Sequence, residues 1–128
     1  MRFAEGTRTA EDAARAVGCD VGQIVKSLVF TLDGEPVVLL VSGANRVDPD
    51  RFGGRLAKAG ADLARAATGY SIGGVPPFGH ESPVPVFMDR DLLRYDVVWA
   101  AAGRPDSVFP ISPDELRRLS GAEVKDLK

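Results

Sequence analysis

Residues 27–41 read Ser-Leu-Val-Phe-Thr-Leu-Asp-Gly-Glu-Pro-Val-Val-Leu-Leu-Val, and this stretch decides the fold. Its first six residues are rich in strand-forming side chains, and Asp33-Gly34 is a tight-turn signal between two apolar runs. The stretch therefore predicts a β-hairpin. Its second strand, 37–41, is apolar at every position, which predicts a strand that is covered on both faces of its sheet.

Helix signals flank this hairpin on both sides. An apolar stripe at helical spacing follows Thr9 and stops at Gly18, which is typical of a helix that ends at a glycine. Asp48-Pro49 is typical of a helix N-terminus, and the predicted apolar face consists of Phe52, Leu56 and Ala59. Two further helices are expected, one from Asp62 to a stop near Gly69 and one from an N-cap at Ser112 to a stop at Gly121.

Strands are expected at 84–88, 97–101 and 108–111. Because these strands cluster instead of alternating with helices, the chain is expected to be an α+β domain. Its mixed β-sheet is expected to curl into a barrel surrounded by helices. With 128 residues, the chain 1–128 is expected to form a single domain.

Composition excludes several kinds of site. The net charge of −2 argues against a broad basic coat for nucleic acid. One cysteine and one histidine exclude a disulfide framework, a cysteine zinc cluster and any site that needs two histidines. The N-terminal residues lack the apolar core of a signal peptide, and no apolar run approaches membrane-spanning length, so a reducing cytoplasm is the expected compartment.

Basic residues gather in the middle of the chain, where residues 37–88 carry 5 basic and 4 acidic side chains. Arg51, Arg55 and Lys58 would share one face of the helix predicted after Asp48, with Arg46 close by. This face is either an ordinary solvated surface or a patch that contacts the phosphates of a nucleic acid.

Lys26 stands at the start of the first predicted strand, beside a hydrophobic run. Its stem either lies along apolar surface while the ammonium reaches water, or it places the ammonium at a pocket mouth to bind a phosphate or polarise an oxygen. The residues alone leave both interpretations open.

The segment Gly73-Gly74-Val75-Pro76-Pro77-Phe78-Gly79-His80 is the most unusual part of the sequence. Glycines let backbone N–H groups approach a ligand closely, and prolines make the loop rigid. This predicts either an oxyanion hole or anion nest, or a rigid connection without a ligand. His80 is either a general base or substrate-holding group, or a loop histidine bonded to backbone. Cys19 is more typical of a small buried residue than of a nucleophile.

The sequence as a whole resembles the YbaK family, which includes the editing insertion domain of bacterial prolyl-tRNA synthetases. The stretches that carry the resemblance follow one another in matching order along nearly the whole chain. They are TAEDAA at 9–14, GQIVKSLVF at 22–30, VSGANR at 41–46, TGYSIGGVPPFGH at 68–80 and VWAAAG at 98–103.

The resemblance implies a trans-editing aminoacyl-tRNA deacylase, which hydrolyses the ester of a mischarged tRNA, often tRNA for proline carrying a small wrong amino acid. It places the essential lysine at Lys26 and the catalytic loop at Gly73 and Gly74. The substrate-binding residues expected for such an enzyme are Ser27, Val75, Pro76, Pro77, Phe78, Gly79, His80, Gly103 and Asp106. The candidate tRNA-binding residues are those of the basic face described above, Arg46, Arg51, Arg55 and Lys58. The implied partners are the tRNA acceptor end and prolyl-tRNA synthetase. No cofactor, metal, membrane or DNA is implied.

The residue inventory suits this reaction, because an aminoacyl ester is already activated and its hydrolysis needs positioned water and a stabilised carbonyl oxygen. One position departs from the family pattern. Many relatives carry a histidine after the late Ala-Gly, whereas Asp106 stands near that place here, as a candidate ligand for the substrate ammonium. A non-catalytic module that binds an aminoacyl-tRNA end or a synthetase is therefore the alternative. An esterase that acts on a small aminoacyl compound is the third.

Overall fold

A computed structural model describes residues 10–52, 54–69, 84–101 and 108–128 of the chain. The helices are α1 (Ala10–Val17), α2 (Ala61–Thr68) and α3 (Pro113–Ser120). The strands are β1 (Ile24–Leu32), β2 (Glu35–Ser42), β3 (Leu56–Lys58), β4 (Val86–Asp89), β5 (Val98–Ala101), β6 (Val108–Ile111) and β7 (Glu123–Lys125). Short 3₁₀ helices span Val21–Gln23, Pro49–Arg51 and Arg90–Arg94.

The predicted hairpin forms the middle of the sheet. β1 and β2 pair antiparallel, from Val25 opposite Ser42 to Leu32 opposite Glu35. Asp33 and Gly34 connect them with positive φ angles of 53° and 86°, as a tight hairpin turn requires. The predicted hairpin and its turn are therefore confirmed.

The other strands extend the sheet in the order β6-β5-β1-β2-β4-β7, while β3 pairs with β1. The pairings of β1 with β5, of β2 with β4 and of β4 with β7 are parallel, and the remaining ones are antiparallel. The mixed sheet of an α+β domain is confirmed. Across the described ranges its strands form an open path from β6 to β7, so the expected closure into a barrel does not appear in them.

β2 is buried on both faces, as its composition predicts. Val38 and Leu40 belong to one apolar cluster, which also includes Met88, Leu92 and Leu116. Val37, Leu39 and Val41 belong to a second cluster on the opposite face, with Phe30, Phe52 and Leu127. Two cores therefore fix β2 and hold its partner β1 in register.

The predicted ends of two helices are confirmed. Ser112 accepts a hydrogen bond from the N–H of Glu115, and Gly121 closes α3 in the left-handed region at φ 66°. Gly18 follows α1 at φ 77°. Thr9, the predicted start of α1, lies outside the described residues.

The helix predicted after Asp48 is wrong. Asp48 does cap the turn Pro49–Arg51, where its side chain accepts from the N–H of Asp50, but the helix stops there. The chain then returns to the hairpin, where Asp33 Oδ1 accepts from Arg55 N at 2.8 Å and β3 pairs with Phe30–Leu32. Gly54 lies so close to the Asp33 carboxylate that a Cβ would overlap it. This long-range contact overrides the local helix signal.

Within the described ranges, no helix combines the length and apolar character needed to cross a lipid bilayer.

Candidate functional site

β1 has a notch on the side away from β2. β5 pairs with Ile24 and Val25 on that side, and β3 pairs with Phe30, Thr31 and Leu32. Just beyond β3, Ala59 N also donates to Val29 O at 3.2 Å. No strand in the described part of the chain pairs with residues 26–28 on that side. We call this stretch of β1, residues 26–28, the β1 notch, because its main-chain groups on that side have no strand partner within the described ranges.

Lys26 lies at the notch. Its register partner in β2 is Val41, and its ammonium Nζ donates to the main-chain oxygen of Asn45 at 2.7 Å. A lysine ammonium has three donors, and within the described ranges Asn45 is the one hydrogen-bond acceptor it meets. Two of its N–H groups therefore meet no acceptor among the described residues.

The surroundings of Lys26 make its ammonium easier to deprotonate. Burial lowers the pKa of Lys26 below its usual range, and the positive charge of Arg46 adds to this effect. Glu11 of α1 and Asp89 at the end of β4 act in the opposite direction. A half-buried ammonium next to an exposed arginine is suited to bind an anion such as phosphate.

Asp89 fixes the loop that carries Asn45. The residue is only 1% exposed, and its Oδ2 accepts from Ser42 N at 3.1 Å and from Asn45 Nδ2 at 2.9 Å. Its Oδ1 accepts from Asp91 N at 3.0 Å, which caps the 3₁₀ helix Arg90–Arg94. One buried carboxylate thus ties the end of β2 to the end of β4.

The last two residues of the chain also contact this loop and the residues that hold it. Lys128 Nζ lies 2.8 Å from Asp91 Oδ2, which also accepts from Asn45 Nδ2 at 2.8 Å. Leu127 is fully buried, and its carbonyl accepts from Asp48 N at 2.7 Å. The hydrogen bonds from Lys128 and Asn45 hold the pKa of Asp91 below its usual range.

Ser27 lies on the opposite face of the sheet from Lys26, because successive side chains of a strand alternate. It faces Leu40 of β2. Its Oγ is buried and meets no hydrogen-bond partner in the described part of the chain. The structure therefore brings both residues to the β1 notch but does not place their side chains in one pocket. Its substrate-binding role stays a prediction.

The predicted basic face of Arg51, Arg55 and Lys58 does not form, because no helix carries it. Arg51 donates to the carbonyl of Lys128 at 2.8 Å. Arg55 follows Gly54 in the connection to β3, and Lys58 lies opposite Phe30, toward the far end of β1 from Lys26. Of the four arginines and lysines proposed for tRNA, only Arg46 acts on Lys26. Their roles stay predictions.

Ten of the predicted site residues lie outside the described residues. They are Gly73, Gly74, Val75, Pro76, Pro77, Phe78, Gly79, His80, Gly103 and Asp106. Their assignment to the site stays a prediction.

Asn45, Asp89 and Asp91 were missed in the sequence analysis as parts of the site. Asp89 caps a 3₁₀ helix, but a local capping pattern does not show its bonds to residues 44 and 47 positions away. A signal was present in the stretch 41–46, which contributes to the family resemblance and contains Asn45.

Gly43 allows the loop that carries Asn45 to pack closely against the start of β1. Its N–H donates to Ile24 O at 2.7 Å, and a Cβ at this position would overlap Val21 O and come within 2.9 Å of the Ala10 Cβ. Because the carbonyl belongs to backbone, it cannot rotate away as a side chain would. The loop 43–48, which we call the site loop, therefore needs glycine at position 43 to pack against the 3₁₀ helix Val21–Gln23.

Gly43→Ala is expected to lower the free energy of unfolding by about 1–3 kcal/mol, as measured by urea denaturation. Gly60→Ala is the matched control, because a Cβ there meets nothing within 4 Å; its cost is expected to stay below about 1 kcal/mol. Equal losses in the two variants would contradict the proposed close packing at Gly43.

The sequence of the chain matches the family model for the aminoacyl-tRNA editing domain over residues 4–119. It is 32% identical over 127 residues to the uncharacterized protein YwhH of Bacillus subtilis, covering 95% of this chain and 81% of that protein. It is 29% identical to a proline–tRNA ligase of Maridesulfovibrio salexigens, covering 80% of this chain but only 18% of the ligase. The chain thus spans about a fifth of the length of that ligase.

Solved structures agree with this relationship. A crystal structure described as a candidate trans-editing enzyme for prolyl tRNA synthetase superposes with a TM-score of 0.94 at 49% identity, covering 100% of this chain and 84% of that one. The hypothetical protein APE2540 superposes with a TM-score of 0.90 at 30% identity, covering 99% of this chain and 88% of that one. The resemblance found in the sequence is confirmed, and the chain belongs to the aminoacyl-tRNA editing domain family.

Proposed function

We propose that this protein is a trans-editing deacylase, which hydrolyses the ester between a wrongly attached small amino acid and the 3′-terminal adenosine of tRNA for proline. The observation that carries the proposal is the Lys26 ammonium at the β1 notch. It is anchored by one carbonyl at 2.7 Å, in a chain of the editing-domain family. The reaction would take place in the cytoplasm, where tRNA is charged.

The proposed chemistry needs neither a metal nor a strong nucleophile. Water attacks the ester carbonyl carbon, the bond to the ribose oxygen breaks, and the products are the free amino acid and a tRNA with a free hydroxyl. Negative charge develops on the carbonyl oxygen in the transition state. Hydrogen-bond donors held in fixed positions stabilise this charge most effectively and so lower the free energy of the transition state. In the proposal, N–H groups of the 73–80 loop supply these donors.

Lys26 would hold the terminal phosphate or ribose of the substrate through its remaining N–H groups. Arg46 adds positive charge next to Lys26, so a backbone phosphate is the ligand group that this pair favours. In the proposal, the ribose hydroxyl of the substrate orients the attacking water. That hydroxyl would take the place of a catalytic triad.

The test is a deacylation assay on alanyl-, cysteinyl- and seryl-tRNA for proline, with correctly charged prolyl-tRNA as the control substrate. At least one mischarged tRNA is expected to lose its amino acid faster than prolyl-tRNA does. Binding to these tRNAs without hydrolysis above the buffer rate would instead support the non-catalytic module that the departure at Asp106 suggests. Equal turnover of a free aminoacyl adenosine ester would favour an esterase of small compounds.

A further inference from the structure

Asn45 connects the candidate catalytic lysine to two carboxylates, the buried Asp89 and the partly exposed Asp91. Its main-chain oxygen accepts from Lys26 Nζ, and its side-chain Nδ2 donates to Asp89 Oδ2 at 2.9 Å and to Asp91 Oδ2 at 2.8 Å. An amide nitrogen has two hydrogens, so both are used. The conformation of this one residue therefore sets where the acceptor for Lys26 lies.

Among the described residues, the backbone–backbone hydrogen bonds of the loop 43–48 lie near its two ends, so its middle depends on the side chain of Asn45. Gly43 N is bonded to Ile24 O, and Asn45 N is bonded to Ser42 O. At the far end, Asp48 N donates to Leu127 O. Between these points the side chain of Asn45 ties the loop to β4, and a loop held at two ends alone samples more conformations.

We propose that Asn45 is a positioning residue, whose side-chain amide, held by Asp89 and Asp91, fixes the main-chain carbonyl that anchors the Lys26 ammonium. The proposal rests on the proposed function for its effect on turnover, but the contact itself does not depend on it. It also extends the site beyond the matched span 4–119, because Lys128 braces Asp91 at 2.8 Å.

The test compares Asn45→Ala with Asp48→Ala, a matched loop variant that removes the bond to Asp50 N at 3.0 Å and leaves Asn45 untouched. Deacylation is measured on the mischarged tRNA that the wild-type chain hydrolyses fastest. A misplaced catalytic group costs up to about a hundredfold in rate, so kcat of Asn45→Ala is expected to fall roughly ten- to a hundredfold. The KM is expected to change by less than about threefold, and Asp48→Ala is expected to stay near wild type.

A second readout follows Lys26 directly. Competitive labelling with acetic anhydride and mass spectrometry gives the reactivity of each lysine, and Lys58 serves as the internal reference. Asn45→Ala keeps the main-chain carbonyl but no longer fixes its position. The weaker hydrogen bond to the charged amine is expected to make Lys26 react roughly fivefold faster, with no change at Lys58. Should Asn45→Ala not fold, Asn45→Thr is the second variant, because threonine is close to asparagine in volume and has a single hydroxyl donor in place of the two amide N–H groups.

The deacylation rate and the Lys26 labelling together distinguish a failure of the proposed function from a failure of the positioning role of Asn45. A wild-type chain that deacylates no tRNA, but whose Lys26 labelling rises in Asn45→Ala, would overturn the proposed function and keep the contact. An active wild-type chain whose Asn45→Ala variant keeps its kcat and its Lys26 reactivity would overturn the positioning role. A drop in thermal stability without either change would also overturn it, because that is the result of a purely structural role.

Discussion

Lys26→Met is expected to lower kcat/KM for deacylation by about 100- to 1000-fold, the usual loss when one charged or polar donor is removed from a reacting centre. Methionine keeps the apolar stem that lies beside Val41, so the fold is expected to persist. The lost group is the ammonium, whose contact with the described residues is a single hydrogen bond to Asn45 O. Its removal is expected to shift the melting temperature by no more than about 5 °C.

Lys58→Met is the matched control for this variant. Lys58 is also a lysine in a strand that contacts β1, but it is exposed and lies opposite Phe30. A tRNA contact at Lys58 would act on substrate binding and so on KM, and the kcat of its variant is therefore expected to stay within about threefold of wild type. A Lys26→Met protein with wild-type turnover, or equal losses in the two variants, would refute the assignment of Lys26.

The same lysine predicts the pH dependence of the reaction. If the protonated amine holds the substrate, activity is full below the pKa of Lys26 and falls as pH rises through it. Burial and Arg46 lower that pKa, so the alkaline limb of kcat/KM is expected at lower pH than an exposed lysine would give. Glu11 and Asp89 face the same ammonium and oppose this shift.

The central hairpin was predictable because its signals are local. Asp33 and Gly34 specify their own turn, and five apolar residues in a row specify a strand with two buried faces. Ser112 and Gly121 likewise mark the ends of α3 within their own neighbourhood. Such signals act over a few residues, so a sequence shows them directly.

The errors come from contacts between distant residues. The predicted helix does not reach Arg55, because the backbone of Arg55 forms hydrogen bonds with the carboxylate and the backbone N–H of Asp33. No local sequence pattern shows that pairing. For the same reason the contact between Asn45 and Asp89 could not be predicted from the sequence, since 44 positions separate them. Lys26 was identified through the family resemblance, because a half-buried lysine looks the same in sequence as a solvated one.

Asp89→Ala is expected to give the largest loss of stability among these variants, about 3–5 kcal/mol, the usual cost of breaking a buried charged network. The carboxylate is 1% exposed, and it accepts hydrogen bonds from Ser42 N, Asn45 Nδ2 and Asp91 N. Alanine leaves these donors without an acceptor, and each unsatisfied buried donor costs about 1–3 kcal/mol. Urea denaturation followed by circular dichroism measures the effect.

Asp48→Ala provides an internal comparison, because Asp48 and Asp89 have the same local role. Each caps a 3₁₀ helix by accepting from the N–H two residues later, but the side chain of Asp48 is 43% exposed. Loss of an exposed cap costs about 1 kcal/mol, so the excess in Asp89→Ala measures the buried bonds to Ser42 and Asn45. Asp89→Asn, which keeps the volume and one carbonyl acceptor, is expected to fall between the two. Equal losses in Asp89→Ala and Asp48→Ala would show that the buried bonds add nothing beyond the cap, and that the site loop is held by its ends alone.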